Sequence, residues 1–436
     1  MQKDDIIAIL NDWNLWNHDM DTGIKREVYL DKLKSALRSG HVVVITGPRR
    51  SGKSFMMRQL AKDLQDSGTP KNQILMANFE DPRFPRMDAG LLQEIFETYL
   101  EFMRPSGRPY VFLDEAQEVE QWEKWVRSTH ELNKAVLIIS GSNAKLLSTE
   151  LATSLTGRHL DVRLSPLSFS EFLLFNGLNA DEQSRLALNQ TTINGLWREY
   201  LECGGFPETV GSEHKKEILL GYFEDLIDKD IVHRYGIRKT EKIKELARFC
   251  FSNAAKPMTF TSAGKFLGLT AATTEKFSRY LENGFLFFFL KRFSFKFKEQ
   301  SKSPRKVYAV DTGLSRAVGF EASQNLGRHA ENAVFLELAR RRADNSDIGL
   351  YYWKDAEHRE VDFVLKEKTR VKQLIQVVWD LSDAKTKERE KKGLLKAMLE
   401  LRCDDGLILT NDFEGEETVG DKKIVYKTIV KWMLEH

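Results

Sequence analysis

The chain has 436 residues, of which 42% are hydrophobic and 30% charged; at roughly 150 residues per domain, that is enough for about three domains. This balance supplies ordinary buried cores and excludes the apolar-poor, one-signed composition of a disordered chain. Lys and Arg number 66 against 64 Asp and Glu, a net charge of +2, so any basic surface for nucleic acid has to be local.

Cys203, Cys250 and Cys403 lie far apart and have no metal-ligand spacing, which argues against a disulfide framework or a zinc site. The N-terminus has acids where a signal peptide would be basic. No segment reaches the ~18 consecutive apolar residues that cross a bilayer. The expected compartment is the cytoplasm, with no membrane partner.

Trp13 and Trp16 are expected to pack an N-terminal helix onto the first core. Residues 42–46, VVVIT, read as a strand buried on both faces of a parallel sheet. The loop that follows, Gly47, Pro48, Arg49, Arg50, Ser51, Gly52, Lys53, Ser54, opens a helix with apolar Met56, Leu60 and Leu64. Gly47, Gly52, Lys53 and Ser54 fill the pattern G-x-x-x-x-G-K-[ST]. Its glycines let backbone N–H groups wrap a phosphate chain, and the positive end of the helix, from Lys53 to Phe55, reinforces the cradle. Lys53 would meet the β- and γ-phosphates of ATP, and Ser54 would offer its hydroxyl to Mg²⁺.

The run 74–79 predicts a second strand, with Glu80 and Asp81 after it expected at the surface. A third run, 110–113, ends in Asp114 and Glu115, two carboxylates at the strand edge where α/β sheets place ligands. Asp114 would organise Mg²⁺ and Glu115 would activate water; the alternative is an acidic start to the next helix. The run 135–140 leads into Ser142 and Asn143, either a sensor of the γ-phosphate or a helix cap. Arg158 sits in a Thr-Gly-Arg turn, either solvated or completing a neighbouring subunit's site.

These pieces, in this order, resemble the AAA-type ATP-binding proteins of bacteria and archaea, in the archaeal or extended AAA+ ATPase group, that carry a C-terminal restriction-endonuclease-like domain of unknown function. The segments that carry the resemblance are TGIKREVYLDKL, VVVITGPRRSGKS, VFLDEAQEV, IISGSNAKLL, LTGRHLDVRLSPLSFSEFL and ECGGFPETV. The resemblance implies an α/β fold with a P-loop ASCE/AAA+ parallel-sheet core over 1–167, which has an extra strand between the phosphate loop and the Asp-Glu strand. It also implies a helical lid over 168–238, often a ring-like homo-oligomer, and a trans role for Arg158.

From about residue 240 the pattern changes to an amphipathic helix, two short helices (262–267 and 271–282) and an aromatic strand pair, 285–290 and 292–297. That order reads as a winged helix over 239–305. The stretch 291–306 holds seven basic residues against Glu299 alone. Non-specific phosphate contact with DNA suits it. The second helix lacks the Arg, Asn and Gln cluster that reads base edges. The other reading is structural or protein-docking, with Phe293, Phe295 and Phe297 forming one buried strand face.

Residues 326–380 read as a helix followed by three strands. In the resembled family this region, within 306–436, is similar to PD-(D/E)XK nucleases. Glu331 and Asp362 stand at the first two positions of that metal site. Gln376-Val377-Val378 stands where Glu-x-Lys is expected, and Gln cannot supply the charge that holds a hard cation. Lys372 or Lys385 would have to replace the missing lysine; otherwise Glu331 and Asp362 are remnants paired with a base such as Arg328.

The sequence therefore reads as an ATP-hydrolysing switch or motor that acts on DNA, with a protein-recruiting switch as the alternative and an ATP-gated nuclease as the third possibility.

Overall fold

The computed structural model describes residues 1–142, 157–179, 190–320, 325–345 and 347–435. The chain forms two compact units, Met1–Leu164 and Ser165–His436.

The first unit is a five-stranded parallel sheet in the order β2-β3-β4-β1-β5, built from β1 (Val42–Thr46), β2 (Ile74–Asn78), β3 (Tyr110–Asp114), β4 (Val136–Gly141) and β5 (His159–Arg163). The side-chain period of two explains the unbroken apolar runs. Val42 and Val44 enter one core with Val111, Leu113 and Ile139, while Val43 and Ile45 enter the core on the other face with Phe112 and Ile138. Each such buried aliphatic side chain contributes roughly 1.5–3 kcal/mol.

Helices α1 (Lys3–Trp13), α2 (Glu27–Arg38), α3 (Lys53–Asp66), α4 (Ala89–Met103) and α5 (Trp122–Glu131) accompany this sheet. Ile6, Ile9 and Leu10 bury one face of α1 in the same core as Trp16, whose Nε1 donates to the Ile74 carbonyl at 2.8 Å. Trp13 donates to Asp81 at 2.8 Å. Asp81 is therefore buried rather than on the surface: Arg83 and Trp13 both bind its carboxylate and hold its pKa far below the usual range. Glu80 is exposed and pairs with Arg49 of the phosphate loop.

The second unit opens with α6 (Phe169–Phe175), whose capping box joins Ser168 and Glu171, then α7 (Gln190–Cys203) and α8 (Lys215–Ile227). Next come α9 (Thr240–Ser252), β6 (Pro257–Met258), α10 (Phe260–Leu267), α11 (Ala271–Asn283), β7 (Phe287–Leu290), α12 (Phe297–Lys302) and β8 (Arg305–Ala309). Strands β6, β8 and β7 form a three-stranded antiparallel sheet.

Residues 292–297 do not form the expected second strand of a hairpin. Their backbone hydrogen bonds go elsewhere: Phe293 N–H donates to the Tyr352 carbonyl at 2.6 Å and Tyr352 N–H donates to the Lys291 carbonyl at 3.1 Å. Phe293 is buried there, but Phe295 and Phe297 are 73% and 79% exposed, so the expected buried aromatic face does not exist.

After α13 (Thr312–Val318) and α14 (Leu326–Asp344) comes a mixed sheet in the order β13-β14-β12-β11-β10-β9. Its strands are β9 (Ile348–Lys354), β10 (Glu360–Glu367), β11 (Arg370–Val378), β12 (Asp405–Thr410), β13 (Gly415–Val419) and β14 (Lys422–Thr428), with α15 (Ala384–Leu401) and α16 (Ile429–Leu434). Side chains of α6 and α7, such as Phe172 and Trp197, share one core with Val334, Phe363 and Ile375. Asp311, fully buried, caps α13 through the Leu314 N–H at 2.8 Å and accepts the Gly205 N–H at 2.6 Å. The segment ECGGFPETV is thereby tied to α13. No helix among the described residues is long and apolar enough to cross a membrane.

Candidate nucleotide site

The loop between β1 and α3 is shaped by what its glycines must avoid. A Cβ on Gly47 would lie 2.1 Å from the Leu164 carbonyl oxygen, and Gly52 adopts φ +97, a left-handed value that L side chains disfavour. Arg26, buried just before α2, donates from its guanidinium to the Ser51 carbonyl at 3.0 Å and so braces the loop. Sequence reasoning did not single out Arg26, although it lies within the segment TGIKREVYLDKL. Gln59 fixes that same segment by donating to the carbonyls of Thr22 and Ile24 at 2.8 and 2.9 Å. Phe55, 41% exposed, stands beside Gly23.

Strand β4 lies between β1 and β3, and the register pairs Thr46 with Gly141 and Asn78 with Asp114. This topology delivers Lys53, Ser54, Asp114 and Glu115 to one edge of the sheet. Lys53 Nζ lies 3.2 Å from Glu115 Oε1 and 3.3 Å from the carbonyl oxygens of both Gly47 and Pro48. Asp114 accepts hydrogen bonds from the hydroxyls of Ser54 and Ser140, and Ser140 Oγ accepts the Glu115 N–H at 2.9 Å. Ser140 thus orients both acids. Its signal in the sequence was only its place at the end of the strand run, two residues before the sensor candidate Ser142.

The two adjacent carboxyls are driven apart. Burial raises Asp114, and the neighbouring charge of Glu115 raises it further. Burial also raises Glu115, but Lys53, Gln117 and Arg49 more than offset this and hold it below its ordinary value. Glu115 also takes a left-handed backbone, φ +52, at the strand edge.

The residues fit a phosphate chain with a divalent cation. Among the described residues, Ser51 Oγ is buried with no hydrogen-bond partner, and a Cβ on Gly52 would meet none of them within 4 Å. Ser54 and Asp114 form the paired hydroxyl and carboxylate that suit Mg²⁺.

The other expected residues are distributed as follows. Ser142 is fully buried one residue beyond β4, beside the start of the phosphate loop by register. Asn143 lies outside the described residues. Arg158 stands at the opposite end of β1, where its carbonyl accepts the Val42 N–H at 3.2 Å, about 15 Å along the strand from the loop. Its guanidinium is exposed and lies 3.7 Å from Glu131.

Further along the chain, Glu331 on α14 and Asp362 on β10 do converge, but on Lys306 of β8 at 2.9 and 2.8 Å and not on Arg328. Lys306 is 1% exposed and so drops out of the basic stretch 291–306, whose exposed cations are Lys291, Lys296, Lys298 and Lys302. Lys372 pairs instead with Glu367 at 3.5 Å, and Lys385 lies in the exposed first turn of α15.

Residues 39–173 match the family model described as "AAA domain", residues 194–325 a domain of unknown function (DUF8612), and residues 326–428 a domain of unknown function (DUF4143). An uncharacterized protein of Haemophilus influenzae is 31% identical over 422 residues, covering 94% of this chain and 99% of the relative. An uncharacterized protein of Methanocaldococcus jannaschii is 33% identical over 429 residues, covering 95% and 92%. Among solved structures, the Walker-type ATPase paby2304 of Pyrococcus abyssi is similar with a TM-score of 0.47 at 13% identity, over 68% of this chain and 96% of that one. For AMPPCP-bound DnaA of Aquifex aeolicus the values are 0.26, 16%, 63% and 92%. Its N-terminal part carries an AAA-type domain over residues 39–173, in a unit whose parallel α/β sheet is consistent with a P-loop ATPase, and the chain belongs to the same family as these two uncharacterized relatives.

Proposed function

We propose that the protein is an ATP-hydrolysing molecular switch or motor that couples its nucleotide state to contact with DNA or with a partner protein. The observation that carries this reading is the meeting of Lys53, Ser54, Asp114 and Glu115 at one sheet edge. ATP would lie along the loop from Gly47 to Phe55, its phosphates held by the backbone N–H groups and Lys53. Bound Mg²⁺, held by Ser54 and organised by Asp114, would supply charge neutralisation at the phosphate oxygens. Glu115, kept ionised by Lys53, Gln117 and Arg49, accepts a proton from the attacking water. Ser142 is the candidate sensor of the γ-phosphate, with Asn143 its alternative. Arg158, remote from its own loop and exposed, suits a trans role in a homo-oligomer.

Downstream, the helices over 168–238 serve as the lid, and 239–305 as the winged helix. The order α9-β6-α10-α11-β7-α12-β8 supports that assignment. Lys296, Lys298 and Lys302, exposed beside Phe295 and Phe297, favour non-specific contact with phosphates and bases. The restriction-endonuclease-like reading of 306–436 rests on the helix α14 followed by β9 to β11. A partner-recruiting switch is the second reading; Phe266 on α10, 75% exposed, favours a protein surface.

ATP turnover measured with and without single- and double-stranded DNA at rising salt, alongside mass in solution, tests these readings. DNA-stimulated turnover that falls steeply with salt is expected. Turnover indifferent to DNA would move the function to the partner-recruiting switch, and absence of turnover would overturn both.

A further inference from the structure

Lys306 reaches a third carboxylate besides Glu331 and Asp362: its Nζ lies 2.7 Å from Glu360 Oε1. The three acids come from α14 and β10, whereas the lysine comes from β8 of the three-stranded sheet. Each of the three carboxylates also has a second donor. The Tyr308 hydroxyl donates to Glu331 at 2.7 Å, the Val377 N–H donates to Asp362 Oδ2 at 2.9 Å, and Lys354 binds Glu360 Oε2 at 3.0 Å. Gln376 spends its carboxamide nearby: its oxygen accepts the Asp362 N–H at 3.1 Å and its nitrogen donates to Glu390 at 2.9 Å.

A nuclease-type metal does not fit these residues. Mg²⁺ sits about 2.0–2.1 Å from its oxygen ligands and demands near-octahedral room. The point within reach of all three carboxylates is already taken by an ammonium nitrogen that is 1% exposed, so a divalent ion would have to settle against a full positive charge in a poorly screened site. Among the described residues no group of three or more His, Cys, Asp or Glu is arranged to hold a metal ion. Lys306 and Lys354 face three carboxylates, and burial together with the charge of Asp362 pushes Glu331 up to about 7, which reduces the negative charge left in the cluster.

We propose that Lys306 is the built-in cation of this cluster: it occupies the place a divalent metal would take, and the C-terminal sheet becomes a metal site only when that ammonium is removed. The ammonium also fastens β8 to α14 and β10, so the cluster acts as a latch between the two sheets rather than as a cleavage centre.

The test uses the full chain without nucleotide and follows Mn²⁺ by calorimetry and electron paramagnetic resonance. The proteins compared are wild type, Asp362→Asn, Lys306→Ala, Lys306→Met and the double variant Lys306→Ala with Asp362→Asn, each checked for folding by circular dichroism. Wild type and Asp362→Asn are expected to give the same Mn²⁺ isotherm. A folded Lys306 variant should gain a saturable Mn²⁺ site, weakened about tenfold or more when Asp362→Asn is added. Wild-type binding that disappears in Asp362→Asn would overturn the proposal. So would a folded Lys306→Ala or Lys306→Met protein that gains no site. Should both lysine variants fail to fold, the wild-type and Asp362→Asn pair still decides whether metal binds there natively.

Discussion

Lys53 and Lys306 are both buried lysines set among carboxylates, yet they are built for opposite ends. Lys53 starts a helix, with two of its contacts being loop carbonyls at 3.3 Å and a third the carboxylate of Glu115 at 3.2 Å. Its neighbourhood keeps unspent capacity in the orphan Ser51 hydroxyl and the open side of Gly52. Lys306 sits mid-strand and is saturated by three acids, each of which has a further donor. A lysine among acids is therefore a ligand site only where polar groups are left to satisfy; where each acid is already shared with a second donor, it is a structural ion cluster.

This contrast can be broken most strongly at Glu115. Glu115→Gln is expected to lower ATP turnover by roughly 10²–10⁴-fold while leaving nucleotide affinity nearly intact, since only the proton acceptor is lost. Steady-state hydrolysis and nucleotide titration read the two quantities; an unchanged rate would reassign the base. Next in size, Lys53→Ala should weaken nucleotide binding about 10–100-fold, the equivalent of one charge-assisted hydrogen bond, as measured by calorimetry. Normal affinity there would remove the distinction between the two lysines.

Buried Asp311, which is held by backbone N–H groups and acted on by Arg340 instead of a lysine, sharpens the contrast. Burial raises it to about 6 against an ordinary 3.8, with backbone N–H groups only partly opposing the shift. Its contribution to stability is complete below the unfolded value and is lost as pH rises through about 6. Thermal melts of the full chain should therefore show roughly 1 kcal/mol more stability from this group at about pH 5 than at about pH 7.5. Asp311→Asn should lack that pH-dependent component; an identical pH profile would refute the assignment. The smallest effect is expected from Arg26→Ala, which removes the brace on Ser51 and should weaken nucleotide binding about fivefold with little change in turnover at saturation.

Most of the first unit was legible because its signals are local. A strand buried on both faces must be apolar at every position, and a phosphate loop must place glycines where its backbone turns inward, so 42–54 announced itself. Arg26 and Ser140 were not legible, since one long-range hydrogen bond to a loop carbonyl and one hydroxyl at a strand end leave no pattern. Residues 292–297 misled because their alternation satisfies a hairpin as well as it satisfies a strand edge; the edge of β9 competed for their backbone and won. Strands β12 to β14 and α16 carried no motif and went unread.

The sequence alone determined that a triphosphate-type loop, a two-carboxylate strand end and a basic-aromatic stretch exist, because each is written in neighbouring residues. Only the tertiary structure decided which charges meet. Lys306 counts as part of a basic run when read along the chain, but it lies 25 and 56 residues from Glu331 and Asp362. Sheet pairing sends its side chain inward to those carboxylates, because a strand's direction and register, not its local composition, fix which face each residue presents.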